Sequence, residues 1–189
     1  MQGLTGEPRY APSVIADKVS GLTALYTVMM ALFHKARTGE GQAVDVPMFE
    51  SFTSFVLTEH MQGHIFEPPM GPPGYSRLLT PDRKPYPTAD GHVCVLPYSD
   101  RHWRRFFEIV GRPDLAADAR FGTMASRTSH IAELYRNVGE EMTKRTTAEW
   151  LAAFEAADIA AMPMNTLLQL FTDPHLQATG LFETMEHPS

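Results

Sequence analysis

The apolar positions of the N-terminal third follow a helical repeat. After Asp17, large apolar side chains return every three or four residues, at Leu22, Leu25, Tyr26, Met29, Leu32 and Phe33. This period predicts an α-helix that begins at or just after Asp17. Further apolar residues leave little polar face, so we expect the helix to be sandwiched between other elements. Gly39, which follows basic residues, is suited to the left-handed conformation that ends helices.

A short strand and a second helix are predicted next. Residues 42–47 are typical of a strand, and residues 48–63 carry a phenylalanine-rich apolar side. A strand flanked by helices indicates a layered α/β arrangement, but one short strand cannot form a sheet. We therefore expect residues 1–65 to be an incomplete piece of a larger domain.

The composition changes at Phe66, where prolines and glycines become frequent. Residues 66–86 are predicted to be a semi-rigid linker with polyproline character. Gly71 and Gly74 would also suit a loop over a substrate. The absence of a glycine run favours the linker.

Residues 87–189 are predicted to form a small α+β domain. Asp90-Gly91 between two alternating stretches indicates a β-hairpin with a type I′ turn. Thr146 and Glu149 have the spacing of a capping box at a helix start. The remaining pattern predicts helices at 100–111, 129–144 and 166–171, a helical turn at 113–121, a helix from Asp173, and short strands at 159–162 and 181–186. The predicted fold class of the chain is α+β, with a mixed α/β fragment at its start.

Composition narrows the functional classes. The chain has 43% hydrophobic and 20% charged residues, which is ordinary for a soluble protein. Its net charge of −6 argues against nucleic acid or an anionic membrane as the main partner. The single cysteine, Cys94, excludes an internal disulfide and fits a reducing compartment. Its position in a predicted strand favours a small buried apolar residue over a nucleophile.

We expect a cytoplasmic protein. The first residues have no apolar core of a signal peptide. The apolar run at 22–33 is shorter than the roughly 20 residues that a membrane span needs. His60 and His64 have metal-ligand spacing, but no third ligand is evident, so no metal site is predicted. The arginines at 101, 104 and 105 are interpreted as a solvated helix face rather than a phosphate contact.

The order of the sequence motifs resembles that of the class III CoA-transferases, the CaiB/BaiF family, which also contains the 2-methylacyl-CoA racemases. GLTGEP, ADKVSGL, the apolar helix, RTGEGQ and VDV follow one another in the N-terminal part. YPTADG, the Trp103 helix, Arg127, TTAEW and DPHL with Gly180 continue the resemblance almost to the end. Family members carry a nucleotide-binding α/β half upstream, which we expect to be missing before Met1.

The resemblance implies that Asp17 is the catalytic carboxylate. Without the resemblance, the better interpretation of Asp17 is a helix cap, which would stabilise the fold by about 1 kcal/mol. With it, Asp17 is expected to attack an acyl-CoA thioester, so that CoA passes between carboxylic acids through aspartyl intermediates. An acyl-CoA and a carboxylic acid are then the substrates, with no permanently bound cofactor. Gly71, Gly74, Tyr75 and Arg77 are further candidates for substrate binding.

Two alternatives stay open from the sequence. In the family's racemases the same aspartate works with an upstream histidine, whose position would precede Met1. A non-catalytic remnant that only folds and dimerises is the other alternative. The family also implies an interlocked homodimer, and the missing half could be a separate chain.

Overall fold

The computed structural model describes residues 10–188. The chain folds into two compact units, which divide between Pro81 and Asp82. The domain boundaries predicted at 65/66 and 86/87 stay predictions. The α+β fold class is confirmed, because helices predominate and one antiparallel sheet is present.

The first unit contains the predicted long helix, α1, which spans Ile15–Thr38. Gly39 ends α1 in the left-handed conformation, and its N–H donates to the Lys35 carbonyl, as the sequence predicts. The predicted start was wrong, because Ile15 and Ala16 are already helical. Asp17 therefore lies inside the first turn of α1 rather than before it.

Helix α2 spans Met48–His60 and packs against α1. A 3₁₀ turn, Gln62–Ile65, replaces the predicted last turn, since Gln62 has a positive φ of 45°. The strand predicted at 42–47 was wrong, because no other strand lies in the described part of this unit to pair with it. A short helix, α3, spans Ser76–Leu79.

Helix α1 is not covered by the chain itself. No residue of α1 is buried, and Leu22 and Phe33 are 63% and 65% exposed. The side chains that are buried in the described part of this unit are polar: His60, Arg77 and Thr80. The expected sandwich is therefore not formed within residues 10–188. Within residues 10–188, α1 is the one helix that is long and apolar enough to cross a membrane. Core helices of soluble proteins meet the same two criteria, length and composition.

The second unit is built on a three-stranded antiparallel sheet of order β1-β2-β3. Its strands are β1 (Tyr86–Pro87), β2 (His92–Val95) and β3 (Ala161–Pro163). Val93 lies opposite Tyr86 on one side and Pro163 on the other. The predicted hairpin and the returning strand are confirmed. The strand predicted at 181–186 was wrong, because residues 181–188 have no regular structure.

The type I′ turn was also wrong, since neither Asp90 nor Gly91 has a positive φ. Contacts from a distant helix start shape the turn instead. The Asp90 carboxylate accepts hydrogen bonds from the Thr147 N–H at 2.7 Å and from the Thr147 hydroxyl at 2.9 Å. The Ala89 N–H donates to the Arg145 carbonyl at 3.0 Å.

The described part of the unit also contains seven α-helices. They are α4 (Asp100–Val110), α5 (Pro113–Ala117), α6 (Met124–Ser129), α7 (Ile131–Met142), α8 (Thr147–Ala156), α9 (Leu167–Leu170) and α10 (Pro174–Ala178). Of these helices, α7 and α8 pack against the strands. The predicted capping box at the start of α8 is confirmed. The Thr146 N–H donates to the Glu149 carboxylate at 2.8 Å, and the Glu149 N–H donates to the Thr146 hydroxyl at 3.3 Å.

The core of the second unit is aromatic. Its buried rings are Tyr86, Trp103, Phe106, Phe107, Phe121, Tyr135, Trp150 and Phe154. The Trp150 and Phe154 rings stack at 5.4 Å, and the Trp150 indole N–H donates to the Met142 carbonyl at 2.8 Å. Complete burial of a large apolar side chain stabilises a fold by about 1.5–3 kcal/mol, so this cluster accounts for much of the unit's stability.

Arg127, one of the residues that carry the family resemblance, is buried beside this core. Its Nη1 donates to the Phe121 carbonyl at 2.9 Å, and its Nη2 pairs with Asp100. The guanidinium carbon lies 6.0 Å from the Trp103 ring centre. These contacts join α4 to α6 and give Arg127 a structural role.

We expect Asp90→Asn to lower the thermal unfolding midpoint at pH 7 by a few degrees, because asparagine cannot provide the charge that receives the Thr147 hydrogen bonds. The Thr147 N–H holds the pKa of Asp90 below its usual value of 3.8. A lowered folded-state pKa stabilises the fold above about pH 4, and this stabilisation is lost as the pH falls through the folded pKa. Thermal scans should therefore show the difference between variant and wild type shrinking toward about pH 2.

Glu108→Gln is the matched control, since Glu108 is an exposed carboxylate on α4 of the same unit. Glu108→Gln should leave the thermal unfolding midpoint unchanged at pH 7 and at about pH 2. A difference between Asp90→Asn and wild type that stays constant from pH 7 down to about pH 2 would contradict the role given to the Asp90 charge.

Candidate active site

Asp17 is an exposed carboxylate in the first turn of α1. Val14 occupies the N-cap position and no side chain caps the helix, so the cap interpretation of Asp17 was wrong. The Asp17 side chain forms no hydrogen bond or ion pair with any residue of 10–188. The Asp17 carboxylate is therefore open to solvent and uncompensated within the described residues.

The helix end surrounds Asp17 with partial positive charge. The first helical hydrogen bond runs from the Lys18 N–H to the Val14 carbonyl at 3.1 Å. The amide groups before Lys18 have no acceptor in the helix, and such groups favour an anion. They are also suited to stabilise negative charge that develops on an attacked carbonyl.

Lys18, the neighbour of Asp17, does not pair with it. The Lys18 ammonium instead donates to the Ser13 hydroxyl at 3.1 Å, in the segment that precedes α1. Adjacent helical residues do not face each other, so this arrangement agrees with helix geometry. Lys18 therefore stabilises the segment that precedes α1 and does not contact the Asp17 carboxylate.

The other predicted site residues, Gly71, Gly74, Tyr75 and Arg77, lie in a loop that folds back onto the end of α2. The N–H groups of Gly74 and Tyr75 donate to the His60 carbonyl at 2.7 Å and to the His60 Nδ1 at 3.1 Å. Gly74 has a φ of 117°, which favours glycine. Arg77 is buried in α3. Residues 66–75 are thus anchored to α2 rather than extended away from it.

Gly63 and Gly71 form the neck of this loop. The Met70 N–H donates to the Gly63 carbonyl at 2.9 Å. A Cβ atom on Gly63 would lie 2.7 Å from the Gly71 backbone nitrogen, closer than such atoms approach. The two backbones can therefore cross only because Gly63 has no side chain.

His60 is a residue whose role the sequence did not reveal. The sequence singled it out only for its metal-ligand spacing with His64, but it is buried, 6% exposed, and organises the loop through both its ring and its carbonyl. The only sequence signal for this role was a histidine at the end of an apolar helix, which is weak. No hydrogen bond joins Asp17 to this loop in the described residues, so the structure does not bring the five predicted residues into one hydrogen-bonded group.

The remaining candidates have structural or surface positions. Arg101 pairs with Asp158 at 2.7 Å, and Arg105 donates to the Ala157 carbonyl at 2.7 Å, so both hold the end of α8. Cys94 is exposed on β2, and its expected burial was wrong, because it points away from the core-facing Val93 and Val95. Within residues 10–188 no three metal-ligating side chains cluster.

Comparison with known proteins gives one consistent result. The model of the family described as CoA-transferase family III matches residues 1–189. The succinate–glutarate CoA-transferase of Agrobacterium fabrum is 30% identical over 184 residues, which are 96% of this chain and 45% of that protein. The succinyl-CoA:mesaconate CoA-transferase of Haloarcula hispanica is 29% identical, over 98% of this chain and 47% of that protein.

Solved structures agree. The crystal structure of Rv3272 from Mycobacterium tuberculosis in its orthorhombic form is 25% identical with a TM-score of 0.76, over 98% of this chain and 49% of that one. A CaiB/BaiF family protein from Brucella suis is also 25% identical, with a TM-score of 0.65 over 92% and 46%. The chain spans about half the length of the relatives that it matches. With motifs, family model and fold in agreement, the chain belongs to CoA-transferase family III.

Proposed function

We propose that this chain is the aspartate-bearing part of an enzyme that transfers CoA between carboxylic acids. The observation that carries the proposal is the Asp17 carboxylate, which is exposed in the first turn of α1 and has no partner within residues 10–188. Its position in the motif order is the one that the family resemblance assigns to the catalytic aspartate. The names of the relatives, which are succinyl-CoA and succinate CoA-transferases, support the same class of reaction.

The proposed chemistry begins with attack of an Asp17 oxygen on the thioester carbonyl of the donor acyl-CoA. The carbon–sulfur bond breaks, CoA leaves as a thiolate, and a mixed anhydride of Asp17 and the donor acid remains. The thiolate then attacks the Asp17 carbonyl of the anhydride, which releases the donor acid as a carboxylate. Asp17 is now bound to CoA as a thioester, so the covalent bond stores the activated state.

The acceptor acid completes the transfer by the reverse steps. Its carboxylate attacks the Asp17 thioester, expels the CoA thiolate and forms a second anhydride. The thiolate attacks the acceptor's carbonyl carbon, which forms the new acyl-CoA and restores the Asp17 carboxylate. Each tetrahedral intermediate carries an oxyanion, and the free amide groups at the start of α1 are suited to stabilise it.

The assembly is part of the proposal. Since the chain spans about half of its relatives, we assign the CoA-binding surface to polypeptide outside it, either an upstream half or a separate chain. We also propose a homodimer in which α1 is covered, because its apolar side chains are exposed along its whole length. A cytoplasmic location is proposed from the single free cysteine, which suits a reducing compartment.

We expect Asp17→Asn to lower the rate of CoA transfer by about 10³-fold or more. The assay uses a polypeptide as long as the relatives, or this chain supplemented with the missing half. Asparagine has nearly the same size but cannot attack a thioester. The measurement is CoA exchange between an acyl-CoA and a free acid, with mass spectrometry of the Asp17 peptide to detect the CoA adduct. The midpoint of thermal unfolding should move little, because the Asp17 side chain makes no hydrogen bond to the described residues that the variant would lose.

Asp45→Asn is the matched control, an exposed carboxylate in the same unit that should leave transfer unchanged. Transfer at the wild-type rate by Asp17→Asn would refute the nucleophile. If the wild type showed α-proton exchange but no CoA transfer, and Asp17→Asn lost that exchange, the racemase proposal would replace the transferase proposal. The 189-residue chain alone should show little or no turnover.

We expect the 189-residue chain to form a homodimer or a larger species, which light scattering would show as a mass of at least twice 21.1 kDa. Leu25→Glu should weaken the association by about tenfold or more, since a charge would enter the apolar contact. Lys35→Glu, in the last turn of the same helix, is the control that should leave it unchanged. A monomer mass at every concentration would contradict the proposed dimer.

A further inference from the structure

A second site is suggested by a cleft of about 420 Å³ in the second unit, between α7 and the segment that leads into β1. Residues 135, 136, 139, 140 and 143 recur at helical spacing and line the α7 side of the cleft. Asp82, Lys84 and Tyr86 line the other side. The cleft is therefore a groove between two ordered elements of one unit.

Tyr135 lines this cleft, and its hydroxyl group has no hydrogen-bond partner among the described residues. Tyr135 is 2% exposed, and its hydroxyl is buried. Its ring stacks on Trp103 with 6.5 Å between the ring centres, so core packing fixes the side chain. Buried polar groups in native proteins usually have a partner, and a polar atom that enters the cleft would provide one.

Tyr86 supplies a second phenol beside the first. Its ring packs on Gly139, where an added Cβ would lie 3.4 Å from the Tyr86 Cδ1. Burial, followed by the nearby Tyr135, raises the pKa of the Tyr86 hydroxyl well above its usual value. Tyr86 therefore stays a neutral phenol, so both tyrosines that line the cleft carry an O–H group that can donate a hydrogen bond.

The rim carries charges of both signs. Lys84 and Glu140 line the cleft, and neither forms an ion pair with any residue of 10–188. The Arg136 Nη2 and the Asp82 Oδ2 lie 3.7 Å apart, so the charges of these two side chains neutralise each other. A simple anion would be attracted by Lys84 but repelled by Glu140. A simple cation would be attracted by Glu140 but repelled by Lys84. A molecule that carries both charges matches both rim residues.

We propose that this cleft binds a small zwitterion with a carboxylate and an ammonium group, of which the free α-amino acids are the simplest. The ligand carboxylate accepts the Tyr135 hydroxyl hydrogen and pairs with Lys84. The ligand ammonium group pairs with Glu140. This site lies in a different unit from Asp17 and does not depend on the proposed CoA transfer.

The test is a titration of the full 189-residue chain with L-serine, followed in two-dimensional ¹H–¹⁵N NMR spectra. Saturable shifts at α7 and at residues 82–87 are expected, with a Kd in the millimolar range or tighter. Acetate and ethanolamine, which each carry one of the two charges, should bind at least about tenfold more weakly. Absence of saturable shifts with L-serine, or acetate binding as tightly as L-serine, would overturn the proposal.

Tyr135→Phe is the decisive variant, because it removes only the hydroxyl and keeps the ring on Trp103. L-serine binding should weaken by about tenfold. The thermal midpoint without ligand should hold or rise by about 2–4 °C, since an unpartnered buried hydroxyl is removed. Tyr98→Phe, at an exposed tyrosine of the same unit, is the control that should bind as wild type. Unchanged L-serine affinity in Tyr135→Phe would overturn the proposal.

Discussion

The uncovered apolar surface of α1 is the constraint that links the parts of this protein. Apolar surface left in water forgoes about 25 cal/mol for each Å² that burial would remove from it, and α1 has exposed apolar side chains through all its turns. The same helix carries Asp17 in its first turn. A partner that covered α1 as proposed would therefore also limit the water around Asp17 and strengthen the electrostatic effect of the helix end on that carboxylate. In the proposed enzyme, assembly and chemistry would share one element.

The two units differ in how they are stabilised. The second unit has its own aromatic core, with Trp103, Trp150 and Phe154 almost fully buried. The first unit is ordered by polar contacts around His60 and by the packing of α1 on α2. The second unit therefore has the features of a body that folds by itself, whereas no apolar side chain is buried in the described part of the first unit. This difference agrees with a chain that spans about half of its relatives.

The sequence predicted those features whose causes are local. The period of α1, the cap at Gly39 and the Thr146–Glu149 capping box all depend on residues within a few positions, and all three are confirmed. The features it missed depend on distant contacts. The turn at Asp90 is shaped by Thr147, 57 residues away, and the burial of His60 by a loop that returns 15 residues later. The prediction of Asp17 as a catalytic residue rests on the order of the motifs, because its side chain has no polar contact within residues 10–188 that local rules could detect.

The neck at Gly63 and Gly71 determines how this loop can vary in length. Because the Met70 N–H and the Gly63 carbonyl close the loop at its base, its ends stay together whatever lies between them. Lengthening a loop whose ends are already held costs little, since the entropy of closure grows only slowly with length. Insertions among residues 64–69 should therefore be tolerated, whereas any residue other than glycine at position 63 would force the two backbones apart. The same short segment thus combines a stretch where insertions cost little with a crossing that only glycine allows.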